Sequence, residues 1–198
     1  MRIIFCVSFI LHSTWSLSQI SSNEWHKGIV VTTDQDTISG EIKYDFSSNM
    51  ITLIKNESVI AFSSHKLVYF EIYDESYKSF REFYAIPHKN ASNYFTPTLF
   101  ELQFEGVLSL LSREKIVLET SSVGYGYGVP MISQPTVRYD FYFLTKAGKL
   151  TQFSGSKRDL LRILVKKKNK LQSYIKGNRL KTDDLRDLVR IIAFYNSI

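Results

Sequence analysis

The chain has 198 residues, 44% of them hydrophobic, with 25 Lys/Arg against 19 Asp/Glu, a net charge of +6 and a single cysteine. That length can bury a real core in one domain, with or without an appendage. Cys6 alone excludes an internal disulfide framework and a sulfur-ligated metal centre.

The first predicted element is an export signal over Met1 to Ser18. Arg2 gives a positive start, Ile3 to Leu11 is almost wholly apolar, and Ser16 and Ser18 are small residues at a cleavage site. The apolar run is too short to span a bilayer, which takes about 20 residues, and no later stretch is apolar enough to do so. Cleavage after Ser18 leaves 180 residues and removes Cys6. A disulfide-free exported chain fits a bacterial periplasm or cell surface.

Strand signals run from there to about Phe153. Gly28–Thr33 is β-branched and apolar, and Asp34-Gln35-Asp36 reads as a turn. Ile38, Gly40, Ile42 and Tyr44 then alternate with polar residues, which predicts a strand with one wet face. Ile51–Leu53 and Val59–Phe62 predict a hairpin around Asn56, and Leu67–Tyr73 a central strand. These short strands suggest a small SH3-like barrel over residues 25–75. A second β section, 77–155, contains Phe100, Leu102 and Phe104 alternating with Glu101, Gln103 and Glu105, a Glu105-Gly106 turn, and strands around Val107–Leu111, Ile116–Leu118, Tyr139–Leu144 and Leu150–Phe153.

The period changes after Gly155. Ser156 and Asp159 match a capping box, followed by a stripe of Leu160, Leu161, Leu164 and Val165. A second helix carries Leu171, Tyr174 and Ile175 and is expected to stop at Gly177 as a left-handed cap. Thr182 is expected to cap a third, with Asp183 and Asp184 in its first turn and Leu185, Leu188, Val189, Ile192 and Tyr195 as its apolar face. The fold expected is mainly β, an antiparallel barrel or sandwich-like body over 19–155, with a helical cap over 156–198.

Charge is unevenly spread. Gln19 to Thr145 has 10 Lys/Arg against 15 Asp/Glu, whereas Lys146 to Ile198 has 14 against 4. The basic tail points to an anionic surface, or to packing on its own acidic body. Its densest run, Lys166, Lys167, Lys168 and Lys170, is the candidate site for lipid, polysaccharide or an acidic partner. Export disfavours nucleic acid as the anion.

The other candidate site is the loop Gly124-Tyr125-Gly126-Tyr127-Gly128. It lacks the Gly-Lys-Ser/Thr of a phosphate-binding loop and the spacing of a dinucleotide fingerprint. Its glycines let the backbone come close to a ligand, and Tyr125 and Tyr127 offer flat faces for stacking. His26, His65 and His88 show no ligand spacing, and Asp34/Asp36 and Asp74/Glu75 read as turn residues, so no metal, cofactor or catalytic residue is assigned.

The pattern Trp25-x-x-Gly28-x-Val30, Gly40-x-Ile42-x-Tyr44-Asp45, Phe62, Leu67–Asp74, Phe100–Leu111 and the ending from Tyr174-Ile175-Lys176 to Tyr195-Asn196 resembles short exported proteins of unknown function from Bacteroidetes-type bacteria. That resemblance implies export and a β-rich body, and carries no active site. The reading is a non-catalytic envelope protein that binds a partner or surface ligand. A hydrolase or glycan-processing enzyme with a dispersed Asp/Glu/His site, and a structural subunit of an envelope complex, are the alternatives.

Overall fold

The computed structural model of the chain describes residues 24–89, 93–122 and 131–198. The expected signal over Met1–Ser18 and the Gly124–Gly128 loop lie outside them. Ten strands form one sheet: β1 (His26–Thr32), β2 (Thr37–Asp45), β3 (Met50–Lys55), β4 (Ser58–Ser63), β5 (Leu67–Asp74), β6 (Ser79–Lys89), β7 (Phe95–Phe104), β8 (Leu108–Ser122), β9 (Met131–Thr145) and β10 (Leu150–Phe153). The order is β10-β9-β8-β7-β6-β5-β1-β2-β3-β4, and every pairing is antiparallel. The two β sections read from the sequence are neighbours in this sheet, through the pairing of β5 with β6.

The sheet curls because two cross-strand glycines permit it. Gly28 and Gly40 are register partners. A Cβ on Gly28 would lie 2.1 Å from the Glu71 carbonyl oxygen, and one on Gly40 2.3 Å from that of Ile54. No side chain fits either place, so the backbones crease there. The curl brings the β2–β3 turn and the end of β4 to β7. Asn49 donates to the Pro97 carbonyl at 3.2 Å and accepts from the Leu99 N–H at 2.8 Å, and the Ser64 hydroxyl donates to the same Pro97 carbonyl at 2.7 Å. Side chains bridge the gap without a backbone ladder. β4 and β10 remain edges, so the body is an open curled sheet and not a closed barrel.

The concave face carries two apolar clusters. Val30, Ile42, Ile51, Leu53, Phe70, Ile72, Phe83 and Leu99 fill the curl of β1–β7. Leu108, Leu110, Phe141, Phe143 and Phe153 meet the helices α1 (Lys157–Ile163), α2 (Lys168–Gly177) and α3 (Leu185–Ser197). The helical cap thus packs on one half of the sheet, through Leu160, Leu164, Leu171, Ile175, Leu188, Ile191 and Ile192. Asn196 ties the end of α3 to the start of β8: its amide donates to the Leu108 carbonyl and accepts from the Leu108 N–H, both at 2.9 Å.

Several local expectations change. Ser156 does cap α1, accepting from the Asp159 N–H at 3.2 Å, but Val165 leaves the apolar stripe and is 64% exposed, because α1 ends and a single 3₁₀ turn rotates it outward. Gly177 is the last residue of α2 and not its left-handed cap. The positive φ, 53°, belongs to Arg179, where Leu180 N–H bonds to Ile175 O at 3.0 Å and Arg179 N–H to Lys176 O at 3.3 Å. That is a Schellman closure, with Leu180 packed in the core. Asp184, not Thr182, caps α3, accepting from the Asp187 N–H at 3.0 Å. Thr182 instead donates to the Gly155 carbonyl at 2.7 Å.

Candidate binding site

A charged seam separates the two apolar clusters on the concave face. Strand period puts Asp74 (β5), Arg81 (β6), Glu101 (β7) and Glu114 (β8) on that face, and register aligns them. Arg81 donates through Nε to Glu101 Oε1 at 2.5 Å and through Nη2 to Glu101 Oε2 at 2.6 Å, then reaches Glu114 Oε1 at 2.9 Å. Its Nη1 is 3.7 Å from Asp74 Oδ2. One guanidinium therefore serves three carboxylates, and its plane lies over the Phe83 ring at 5.4 Å. Asp74, Glu101 and Glu114 are 2%, 8% and 7% exposed.

Glu101 is one of the polar residues that alternate with Phe100, Leu102 and Phe104 in the sequence. The alternation holds at Phe100 and Leu102, which pack with Leu111 and Tyr142 in a third apolar cluster on the opposite face, but a bulge between Leu102 and Phe104 turns Phe104 to the helix-side cluster, so both faces of β7 are covered. Asp74 also does more than make a turn. Its Oδ1 accepts from the Ser76 and Tyr77 N–H groups at 2.9 and 3.2 Å while Oδ2 faces Arg81. Burial works against the charge of Arg81, but the bonds and charges of Glu101 and Glu114 hold its pKa above the ordinary value. Burial pushes Glu114 upward, with Arg81 opposing. Tyr139, the register partner of Glu114, is raised to about 12, by burial first and then by the Glu114 charge.

Beyond this seam β8 and β9 leave the body. β7 pairs with β8 no further than Ser112, and β10 with β9 no further than Phe141. The ladder of β8 with β9 continues from Lys115–Arg138 to Ser122–Met131. Eight more rungs at about 3.3 Å make a two-stranded arm about 26 Å long. It is amphipathic. One face carries the salt bridges Lys115–Asp140, at 2.6 Å, and Arg138–Glu119. The other carries Ile116, Leu118, Pro135 and Val137, with Ile116 53% and Leu118 72% exposed. Among the described residues β8 is the only strand paired with β9 at Pro135, an edge position where proline is tolerated.

A cleft of about 890 Å³ opens at the root of the arm, between β6, β7, β9 and the start of α3. Arg81, Glu101 and Gln103 lie at its floor, Tyr77 and Phe80 at one side, and Tyr139 at the arm. Phe80 is 62% and Tyr77 52% exposed. The volume suits a small ligand or an inserted side chain, with apolar rings and a few convergent charges. The charges on its floor are already bonded to one another.

The lysine run divides. Lys167 donates to the Tyr195 carbonyl at 2.9 Å, with its ammonium 4.6 Å from the Tyr195 ring centre, so it caps α3. Lys166, Lys168 and Lys170 are exposed around a shallow hollow of about 430 Å³ that also includes Val165 and Ile198. Among the described residues no carboxylate makes a salt bridge to those three lysines.

The three histidines are not brought together. His26 is buried at the start of β1, His65 is exposed after β4, and His88 packs edge-on to Phe100 and Tyr142. Burial and then the Arg113 charge lower the His88 pKa. Among the described residues no group of three His, Cys, Asp or Glu side chains is placed to hold a metal ion, and no helix is long and apolar enough to cross a membrane. Neither the seam nor the arm was among the predicted sites. The one available signal was Glu101 sitting between apolar residues on both faces of its strand. No family model, curated protein or solved structure matches this chain.

Proposed function

We propose that this chain is an exported, non-catalytic envelope protein that binds a partner protein or surface ligand, with the β8–β9 arm and the cleft at its root as the recognition surface. The observation that carries this is the apolar face of the arm, on which Ile116, Leu118 and Pro135 are exposed and Val137 half-buried among the described residues. A two-stranded ribbon is marginal alone in water, and a contact that covers this face would stabilise it. The Tyr125/Tyr127 loop is included in the proposal on sequence grounds alone. Export rests on the Met1–Ser18 sequence. Arg81 holds both oxygens of Glu101 at the cleft floor, which favours binding by that pair over acid–base chemistry on it.

The test is capture from native envelope by the tagged chain, followed by mass spectrometry, with Ile116→Asp/Leu118→Asp in parallel. A partner held at fixed stoichiometry by the parent and depleted at least about tenfold by the double variant supports the reading. The same set of proteins on both baits overturns the role of the arm.

A second reading concerns the lysine hollow. Three exposed lysines beside the exposed Val165 suit a membrane surface rich in anionic lipid. At about 1 kcal/mol each, replacing Lys166, Lys168 and Lys170 by Gln lowers partition to anionic vesicles on the order of 100-fold. Binding that survives the triple variant and high salt removes this reading.

A further inference from the structure

We propose that β4 is a self-association edge, through which two copies of this chain join their sheets across a two-fold axis. The inference is independent of the arm. Sheet edges are normally guarded by shortness, charge, proline or a covering element. β10 is guarded: it has four residues and runs directly into the helical cap. β4 carries neither charge nor proline, and β7 meets it only beyond its far end, through the Ser64 bond to Pro97. Ser58-Val59-Ile60-Ala61-Phe62-Ser63 holds no charge and no proline, and Ser58–Ala61 are exposed, with Val59 at 67% and Ile60 at 38%. Among the described residues no strand pairs with its outer side.

The register of that edge follows from its hairpin. Asn56 and Glu57 have φ of 47° and 65°, the two positive values of a type I′ turn. Such a turn makes Lys55 and Ser58 the hydrogen-bonded closing pair. Ser58, Ile60 and Phe62 then direct their backbone groups to β3, and Val59 and Ala61 direct theirs outward. Antiparallel pairing with a second copy, centred on Ile60, places Val59 opposite Ala61 of the second copy and Ala61 opposite its Val59. Every outward N–H and C=O of those four residues finds a partner.

Ile60 meets Ile60 of the second copy at the axis, a non-hydrogen-bonded position where side chains approach closest. Phe62 and Ile60 lie on the core side, Phe62 against the β1–β7 cluster. No like charges are opposed anywhere in the paired stretch, because Ser58–Phe62 is uncharged. The same surface is self-complementary, which a closed two-fold dimer requires. The contact is short, so association is weak and concentration-dependent.

Sedimentation velocity on the purified chain from about 5 to 300 µM tests this. The weight-average mass is expected to rise from monomer toward dimer across that range. Ile60→Lys places two ammonium groups face to face on the axis. Ala61→Pro removes an outward N–H that β3 does not use. Each is expected to weaken dimerisation at least about tenfold with a circular dichroism melt close to that of the parent, and either one that folds suffices. A chain that stays monomeric at the highest concentration, or a dimer that tolerates the substitution that folds, overturns the proposal.

Discussion

Arg81 is the group whose removal the structure makes most costly. Arg81→Met keeps the apolar stem over Phe83 but deletes the one cation shared by Asp74, Glu101 and Glu114, all under 9% exposed. Breaking a buried ion pair by removing one partner costs about 3–5 kcal/mol. A second route gives a similar figure. The orphaned cluster can relieve itself by protonating one carboxylate, which at pH 7 costs about 3.5 kcal/mol for a group of ordinary pKa near 4.4. Taking about 4 kcal/mol and about 2–4 °C per kcal/mol for a chain of this size, the midpoint falls by about 8–16 °C at pH 7. The sign with pH is fixed by the same reasoning. In the variant the folded-state carboxylate pKa values lie above their unfolded values, so the folded state takes up protons and the deficit shrinks as pH falls toward 5, to about 1 kcal/mol per protonated group. Calorimetric melts of parent, Arg81→Met and Arg81→Lys at pH 7 and pH 5 measure this. Lysine is expected to be intermediate, since an ammonium cannot grip Glu101 with two bonds and still reach Glu114. A methionine variant within about 2 °C of the parent at pH 7, or a deficit equal at both pH values, refutes the argument.

Glu114→Gln keeps an acceptor for Arg81 and removes an acid whose folded pKa burial raises. A raised carboxylate pKa makes ionised Glu114 a burden at neutral pH, relieved as pH falls from the folded value toward the ordinary 4.5; urea unfolding is expected to show the variant gaining less stability than the parent over that window. Arg179→Gly relieves a left-handed residue at the end of α2 and is expected to raise stability by about 0.5–1 kcal/mol in the same assay, whereas Arg179→Ala gives no gain. Asn196→Ala strands the Leu108 N–H and carbonyl and is expected to cost about 1–3 kcal/mol, with hydrogen exchange at Leu108 accelerating before exchange in β5.

The strands were legible because their signals are local. Alternation around Ile42, the hairpin around Asn56 and the Glu105-Gly106 turn each specify a short stretch, and the structure has strands and hairpins there. The helices were legible from the stripes of Leu160/Leu164 and Leu188/Ile192. Caps were read less well, because Thr182 and Asp184 offer the same chemistry two residues apart and only the contact of Thr182 with Gly155 decides between them. The seam was not legible. Asp74, Arg81, Glu101 and Glu114 come from four strands, and each looks alone like a solvated charge. The arm was invisible for another reason: a period of two says that Ile116 and Leu118 share a face, not whether anything covers it.

β8 carries helix-side core at Leu110, the ionic knot at Glu114 and the free ribbon from Lys115 onward, all on one continuous strand. The Glu114–Arg81 bond therefore joins the root of the ribbon to the seam, and the same guanidinium faces Asp74, whose other oxygen holds the turn bearing Tyr77 on the far wall of the cleft. The ribbon and both walls of the groove thus share one anchoring cation.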